Sequence, residues 1–227
     1  MQPISHPSPN FGPRRNRSVP SLIVLHYTAM PDPDEALERL CSPEYEVSAH
    51  YLIHRDGRLF QLVDEEMRAW HAGAGSWAGM DDINSYSIGI ELDNDGASPF
   101  SEPQMATLEA ILPEIMQRWN IEPAGVIGHS DMAPGRKSDP GPRFDWARLG
   151  RQGLAAPSGT LGETTDISVD AFRGYASSLG YPSDVDDATL LAAVRLRHRP
   201  WAEGPLSEDD VAALPGVSHF FAGSIPG

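Results

Sequence analysis

The chain has 227 residues, 40% hydrophobic and 22% charged, a balance that excludes a wholly disordered chain, a coiled coil and a collagen-like repeat. Its formal net charge is −15, from 32 acidic and 17 basic side chains, which makes nucleic acid and anionic lipid poor partners. The single cysteine, Cys41, excludes an internal disulfide, and the longest apolar run, around Leu22 to Leu25, is far too short to cross a bilayer.

Residues 1–20 are rich in proline and read as an extended N-terminal arm, without the apolar stretch of a signal peptide. Ser21–Tyr27 is an apolar run of β-formers, a buried strand that ends in His26. Pro33 to Cys41 has early acidic residues and a Leu37/Leu40 spacing, which predicts a short helix. Tyr51–His54 and Arg58–Val63 flank Arg55-Asp56-Gly57, a hairpin signal because Asp-Gly suits the primed turns. Asp64–Ser85 lacks periodicity and reads as a long loop, and Ser87–Leu92 is a second apolar strand carrying Glu91 near its end. Glu102 to Trp119 places Met105, Leu108, Ile111, Leu112, Ile115 and Trp119 at helical spacing, with Pro113 expected to kink or interrupt the helix. Val126–Ile127 closes a short strand, and a polar, proline-rich loop runs from His129 to Pro142. Composition then shifts to Ala, Gly, Ser, Pro and Thr, a linker over 151–164 between a domain of residues 21–150 and a helical unit of residues 165–227. Helices are expected there near 168–179, 187–196 and 207–214, the last opened by a capping-box-like Ser207/Asp210 pair.

Of the eight histidines, His26 and His129 stand at the ends of buried strands, where a side chain enters whatever cleft the loops form. Imidazole with carboxylate is a normal donor set for Zn²⁺, and Asp131 and Asp139 are the carboxylates near His129. Each histidine taken alone is read first as a packing or surface residue. Lys137 is the only lysine beside sixteen arginines, a point donor suited to a developing oxyanion. Strand alternation puts Gly89 and Glu91 on one face, where the glycine leaves room for a neighbour and Glu91 is either a general base or an exposed strand-end residue. Trp70 and His71 sit in a small-residue loop that could line a cleft, and Asn94 follows the second strand. No nucleophile elbow, P-loop or His-Glu-x-x-His helix is present.

The fourteen residues His129-Ser130-Asp131-Met132-Ala133-Pro134-Gly135-Arg136-Lys137-Ser138-Asp139-Pro140-Gly141-Pro142 resemble the signature of zinc-dependent N-acetylmuramoyl-L-alanine amidases, in the AmpD/AmiD branch of the amidase-2 and peptidoglycan-recognition-protein superfamily. Ser48-Ala49-His50-Tyr51, Ala69-Trp70-His71-Ala72-Gly73 and Ser87-Ile88-Gly89-Ile90-Glu91-Leu92 are similar to the same branch, and the resemblance covers roughly residues 20–150. It implies an α/β fold with a central mixed sheet flanked by helices and a small three-helix C-terminal appendage. It also implies Zn²⁺ held by His26, His129 and Asp139, catalysis by Glu91 and Lys137, and hydrolysis of the muramoyl–L-alanine amide of peptidoglycan or muropeptides. Trp70, His71 and Asn94 are the expected substrate contacts. Residues 165–227 are similar to the peptidoglycan-binding appendage of some relatives, although Arg195 and Arg197 interrupt the apolar helix expected there. The competing reading is a non-catalytic muropeptide-binding sensor of the same fold. The expected location is the cytoplasm, with the envelope as the alternative that the appendage suggests.

Overall fold

The computed structural model describes residues 2–159 and 167–216. Part of the expected linker, from 160 on, and the end of the expected helical unit, 217–227, lie outside the described residues. The chain forms an α/β fold around a six-stranded mixed sheet of order β1-β5-β4-β7-β3-β8. Its strands are β1 (Ile4–Ser5), β3 (Leu22–Tyr27), β4 (Tyr51–Ile53), β5 (Leu59–Gln61), β7 (Ser87–Leu92) and β8 (Val126–Gly128). All neighbours run parallel except β4 and β5, the hairpin around Asp56-Gly57. Central β3 and β7 are buried on nearly every residue because parallel strands are covered on both faces.

The N-terminal arm is extended, and it is stitched to the body. β1 adds to the sheet beside β5, and β2 (Phe11–Pro13) pairs antiparallel with β6 (Met67–Ala69). Between them and β3, the Arg14 guanidinium donates to the carbonyls of Glu65, Ser85 and Ser87. The expected loop 64–85 therefore holds a strand, β6, and ends in a four-residue helix, α2 (Ile83–Tyr86).

One face of the sheet packs on α3 (Glu102–Trp119) and α5 (Trp146–Arg151), joining Ile23, Leu25, Ile88 and Ile90 to Leu108, Ile111, Leu112 and Leu149. α3 passes Pro113 as one uninterrupted helix. Proline removes one helical hydrogen bond at a cost of about 3 kcal/mol, and burial of this apolar face, at roughly 1.5–3 kcal/mol per large side chain, outweighs it.

The other face has two covers and a gap. At one end α1 (Pro33–Cys41) lays Leu37 and Leu40 on Leu52, Phe60 and Leu62. At the other, the C-terminal helices α6 (Val169–Leu179), α7 (Asp187–His198) and α8 (Glu208–Ala212) set Phe172, Leu179, Leu190 and Val194 against Leu22, Val24 and Ile127. The C-terminal unit thus supplies a layer of the core. Leu154, Ala155 and Ala156, within the expected linker, are buried as well.

Arg195 and Arg197, which break the apolar pattern of α7, are both spent on ion pairs. Arg195 and Arg199 grip Asp210 at 2.7 Å each, and Asp210 also accepts from the Ser207 backbone at 2.9 Å, the reach-back half of a capping box. Burial alone would raise the Asp210 carboxyl, but hydrogen bonds from Arg195 and Ser207 outweigh it and hold the group well below the usual carboxylate range. A lowered carboxyl stabilises the fold above its unfolded value, and that stabilisation is lost as pH falls. Denaturation of Asp210→Asn is therefore expected to show a deficit against the parent at pH 7 that shrinks toward pH 3. A pH-independent deficit would assign Asp210 a packing role alone.

Candidate active site

Parallel strands gather their functional residues at their C-terminal ends. The β3–β7 register sets His26 opposite Glu91. The β3–β8 register aligns Leu25 with Gly128, so His129, the first residue of α4 (His129–Met132), follows one step beyond, beside His26. The loop after α4 then folds back, and the Ser130 N–H donates to the Asp139 carbonyl at 2.9 Å. This return brings Asp139 to the two histidines. His26 Nδ1, His129 Nδ1 and Asp139 Oδ2 lie 2.9 Å from one another, all three residues buried. The group could hold a metal ion.

The outer nitrogens of both rings are engaged. His129 Nε2 is 2.8 Å from the Ala72 carbonyl, which only accepts, so Nε2 carries a proton, and the neutral ring of that tautomer has its lone pair on Nδ1. His26 Nε2 is 3.0 Å from His71 Nδ1. Burial, and then the neighbouring His129, push the His26 pKa down to about 4 against the pull of Asp139, so the ring is neutral at physiological pH.

A cleft of about 360 Å³ opens over this group, lined by His26, Trp70, His71, Glu91, Lys137 and Asp139. Glu91 Oε2 is buried with no hydrogen-bond partner among the described residues. Burial, together with Asp139, pushes its pKa up to about 8 against the opposing pull of Lys137. A carboxylate oxygen buried without a partner on the wall of a cleft is a candidate for proton transfer. Lys137 follows Arg136, whose guanidinium is fixed on the Ala72 and Ala74 carbonyls. A wider groove of about 520 Å³ continues between Gly135–Ser138 and α7, but it holds none of the histidines.

Asp131, the other candidate carboxylate, pairs with Arg197 away from the cleft lining, and seven of the other eight residues singled out from sequence meet in the cleft. Asn94 does not: its carboxamide accepts from Gly96 N–H and donates to the Ser98 carbonyl within its own loop. His71, expected as a substrate contact, has both ring nitrogens engaged with protein groups, His26 and Ser87. Sequence reasoning missed Ser87, Asn84 and Arg136, whose side chains reach the loop that faces the histidines. For Ser87 the signal was present: in Ser87-x-Gly89-x-Glu91 the alternation that isolates Glu91 also puts Ser87 on the active face.

The chain belongs to the N-acetylmuramoyl-L-alanine amidase family (Amidase_2), whose model matches residues 15–142. It is 40% identical over 151 residues to N-acetylmuramoyl-L-alanine amidase AmiD of Escherichia coli (strain K12), a match covering 60% of this chain and 54% of the relative. It is 36% identical over 169 residues to 1,6-anhydro-N-acetylmuramyl-L-alanine amidase AmpD of Citrobacter freundii, covering 67% of this chain and 89% of the relative. The match thus spans about half the length of the first relative and about nine tenths of the second. Among solved structures, the fold is similar to AmiD from E. coli in complex with the substrate anhydro-N-acetylmuramic acid-L-Ala-D-gamma-Glu-L-Lys, with a TM-score of 0.77, 30% identity and coverage of 92% of this chain and 90% of that one. No helix among the described residues is long and apolar enough to cross a membrane.

Proposed function

We propose that this member of the amidase family is a zinc enzyme that hydrolyses the amide between 1,6-anhydro-N-acetylmuramic acid and L-alanine of the stem peptide. The observation that carries the reading is the convergence of His26, His129 and Asp139 at 2.9 Å beside Glu91, whose buried Oε2 has no partner among the described residues. The donor set fits zinc. In the neutral His129 ring that donates from Nε2, the Nδ1 lone pair faces Asp139 Oδ2 at 2.9 Å, an arrangement that a cation between the two satisfies. Two imidazole nitrogens, one carboxylate oxygen and one side open to a cleft are the donors of a catalytic zinc. Zinc bound there supplies Lewis acidity to the attacking water and to the scissile carbonyl.

The chain's own residues do the rest. Glu91 removes the proton from the water that attacks the lactyl carbonyl. It returns that proton to the alanine nitrogen, which must leave as an amine once the C–N bond breaks. Lys137, on the lining of the same cleft, stabilises the tetrahedral oxyanion as the carbonyl oxygen gathers negative charge. Trp70 lines the cleft wall, where it would flank the substrate. Lys137→Ala is expected to lower kcat by about 10²–10³-fold with zinc content unchanged. Unchanged kcat would remove Lys137 from the oxyanion site.

The substrate class is supported by the 1,6-anhydro specificity in the name of the AmpD relative and by the anhydro-muropeptide in the AmiD complex. Mass spectrometry of a digest tests it. Free peptide beginning with L-alanine, plus intact anhydro-sugar, is the expected product pair. A binding protein would return the muropeptide uncut. Cytoplasmic recycling of these fragments is the proposed setting, and recovery of the native protein with the envelope fraction would move the reaction to wall turnover.

A further inference from the structure

Both metal histidines lean on one dipeptide, His71-Ala72. Ala72 receives His129 Nε2–H through its carbonyl, and His71 meets His26 through its ring. The proton positions on the second contact follow from its far end. Ser87 Oγ lies 2.6 Å from the Ile83 carbonyl, which only accepts, so the serine proton is committed there. His71 Nε2, 3.2 Å from the same Oγ, must then be the donor. A neutral ring with its proton on Nε2 is an acceptor at Nδ1, so His26 donates to it from Nε2. That leaves His26 Nδ1 with a lone pair toward Asp139 and His129.

The seat of the ring is specific. His71 lies over Gly89, where a Cβ would stand 2.4 Å from the ring Cγ. The dipeptide itself is held by Asn84, buried in α2, whose Oδ1 accepts from the N–H groups of both His71 and Ala72 at 3.0 and 2.8 Å. The short helix α2 thus holds both ends of the arrangement, through Asn84 to the dipeptide and through Ile83 and Ser87 to the His71 ring.

We infer that His71 is a positioning residue, which fixes the tautomer and orientation of His26 for the metal, and that Asn84 is the anchor holding His71 and Ala72 against the two histidines. The inference rests on the zinc reading above. Partners of this kind change metal affinity by about 10–100-fold when removed.

The test uses the purified full chain with His71→Leu and His71→Asn. Zinc affinity is read by competition with a chromophoric chelator, and the ligand field by the visible spectrum of the Co²⁺ form. Melting of the chelated protein controls for folding. His71→Leu keeps bulk but loses the acceptor, and is expected to weaken zinc binding by about 10–100-fold and to alter the Co²⁺ spectrum. His71→Asn carries a carbonyl oxygen on Cγ where the ring has Nδ1, and is expected to restore affinity to within severalfold of the parent. If His71→Leu binds zinc as the parent does, with the same spectrum, the inference is overturned while the zinc reading stands. If a folded His71→Asn is as weak as His71→Leu, the acceptor role is overturned. Should His71→Leu not fold, the affinity of His71→Asn decides by the same limits. A folded parent that binds no zinc overturns the site reading itself, and this inference with it.

Discussion

Glu91→Gln is expected to lower kcat by about 10²–10⁴-fold, the range for loss of a general acid–base group, while zinc content stays at that of the parent. Glutamine preserves the shape of the side chain and removes only the proton-transfer chemistry. The base acts when ionised, so turnover of the parent is expected to rise with pH as Glu91 loses its proton, and that rise is absent from the residual activity of the variant. The same substitution has a stability counterpart. The folded Glu91 carboxyl lies at about 8, above its ordinary 4.5, because burial and Asp139 disfavour its charge. The folded metal-free chain therefore binds this proton more tightly than the unfolded chain, and stability falls as pH rises from about 4.5 through 8. Removing the charge is expected to raise the melting temperature of the chelated protein at pH 9 and to leave it little changed at pH 4. Retention of parental turnover by Glu91→Gln would end the assignment of Glu91 as proton carrier.

Arg197→Ala is expected to destabilise the protein by about 3–5 kcal/mol, the cost of leaving one partner of a buried ion pair uncompensated. Arg197 and Asp131 meet at 2.7 Å with side chains 5% and 0% exposed. Asp131 also accepts from Tyr181 OH at 2.8 Å and from the Gly128 N–H at 2.8 Å. Arg197 in turn lies over the Trp146 ring at 4.1 Å and donates to the Val126 carbonyl. For a chain of this size the loss corresponds to a fall in melting temperature on the order of 10 °C. Adding Asp131→Asn removes the stranded charge and is expected to recover part of it. Because Asp131 holds the backbone immediately before His129, weaker zinc binding is expected to accompany the loss. A change below about 1 kcal/mol would mean that α7 docks through its apolar face alone.

These expectations follow the elements that sequence periodicity reveals and the contacts that it hides. β3, β7, α1, α3 and the Asp56-Gly57 hairpin are legible because each carries its own pattern, buried runs for central strands and a helical stripe for α3. β1, β2 and β6 are two or three residues long and exist only through their partners, so no local pattern marks them. α5 is likewise too short to show a full stripe. The arginines of α7 read as breaks in an apolar helix because their partners, Asp131 and Asp210, lie 66 and 15 residues away. In the site, His26, Glu91 and His129 were legible from their places at strand ends, since register alone sets them side by side. Asp139 and Lys137 were legible through the loop motif. The bonds of His71 were not, because they depend on a glycine seat and a serine on a neighbouring strand. Asn94 follows its strand as a cleft residue would, yet its loop turns the amide on itself.

The proposed reaction depends on a zinc ion held by His26, His129 and Asp139. The most direct measurement pairs elemental analysis of the purified chain with release of free peptide from a 1,6-anhydro-muropeptide, with and without a chelator. The expected result is one zinc per chain, release abolished by the chelator, and recovery on adding zinc back. A folded chain that carries no zinc and releases no peptide, or one that releases peptide undiminished after complete zinc removal, would rule out zinc-dependent hydrolysis at this site.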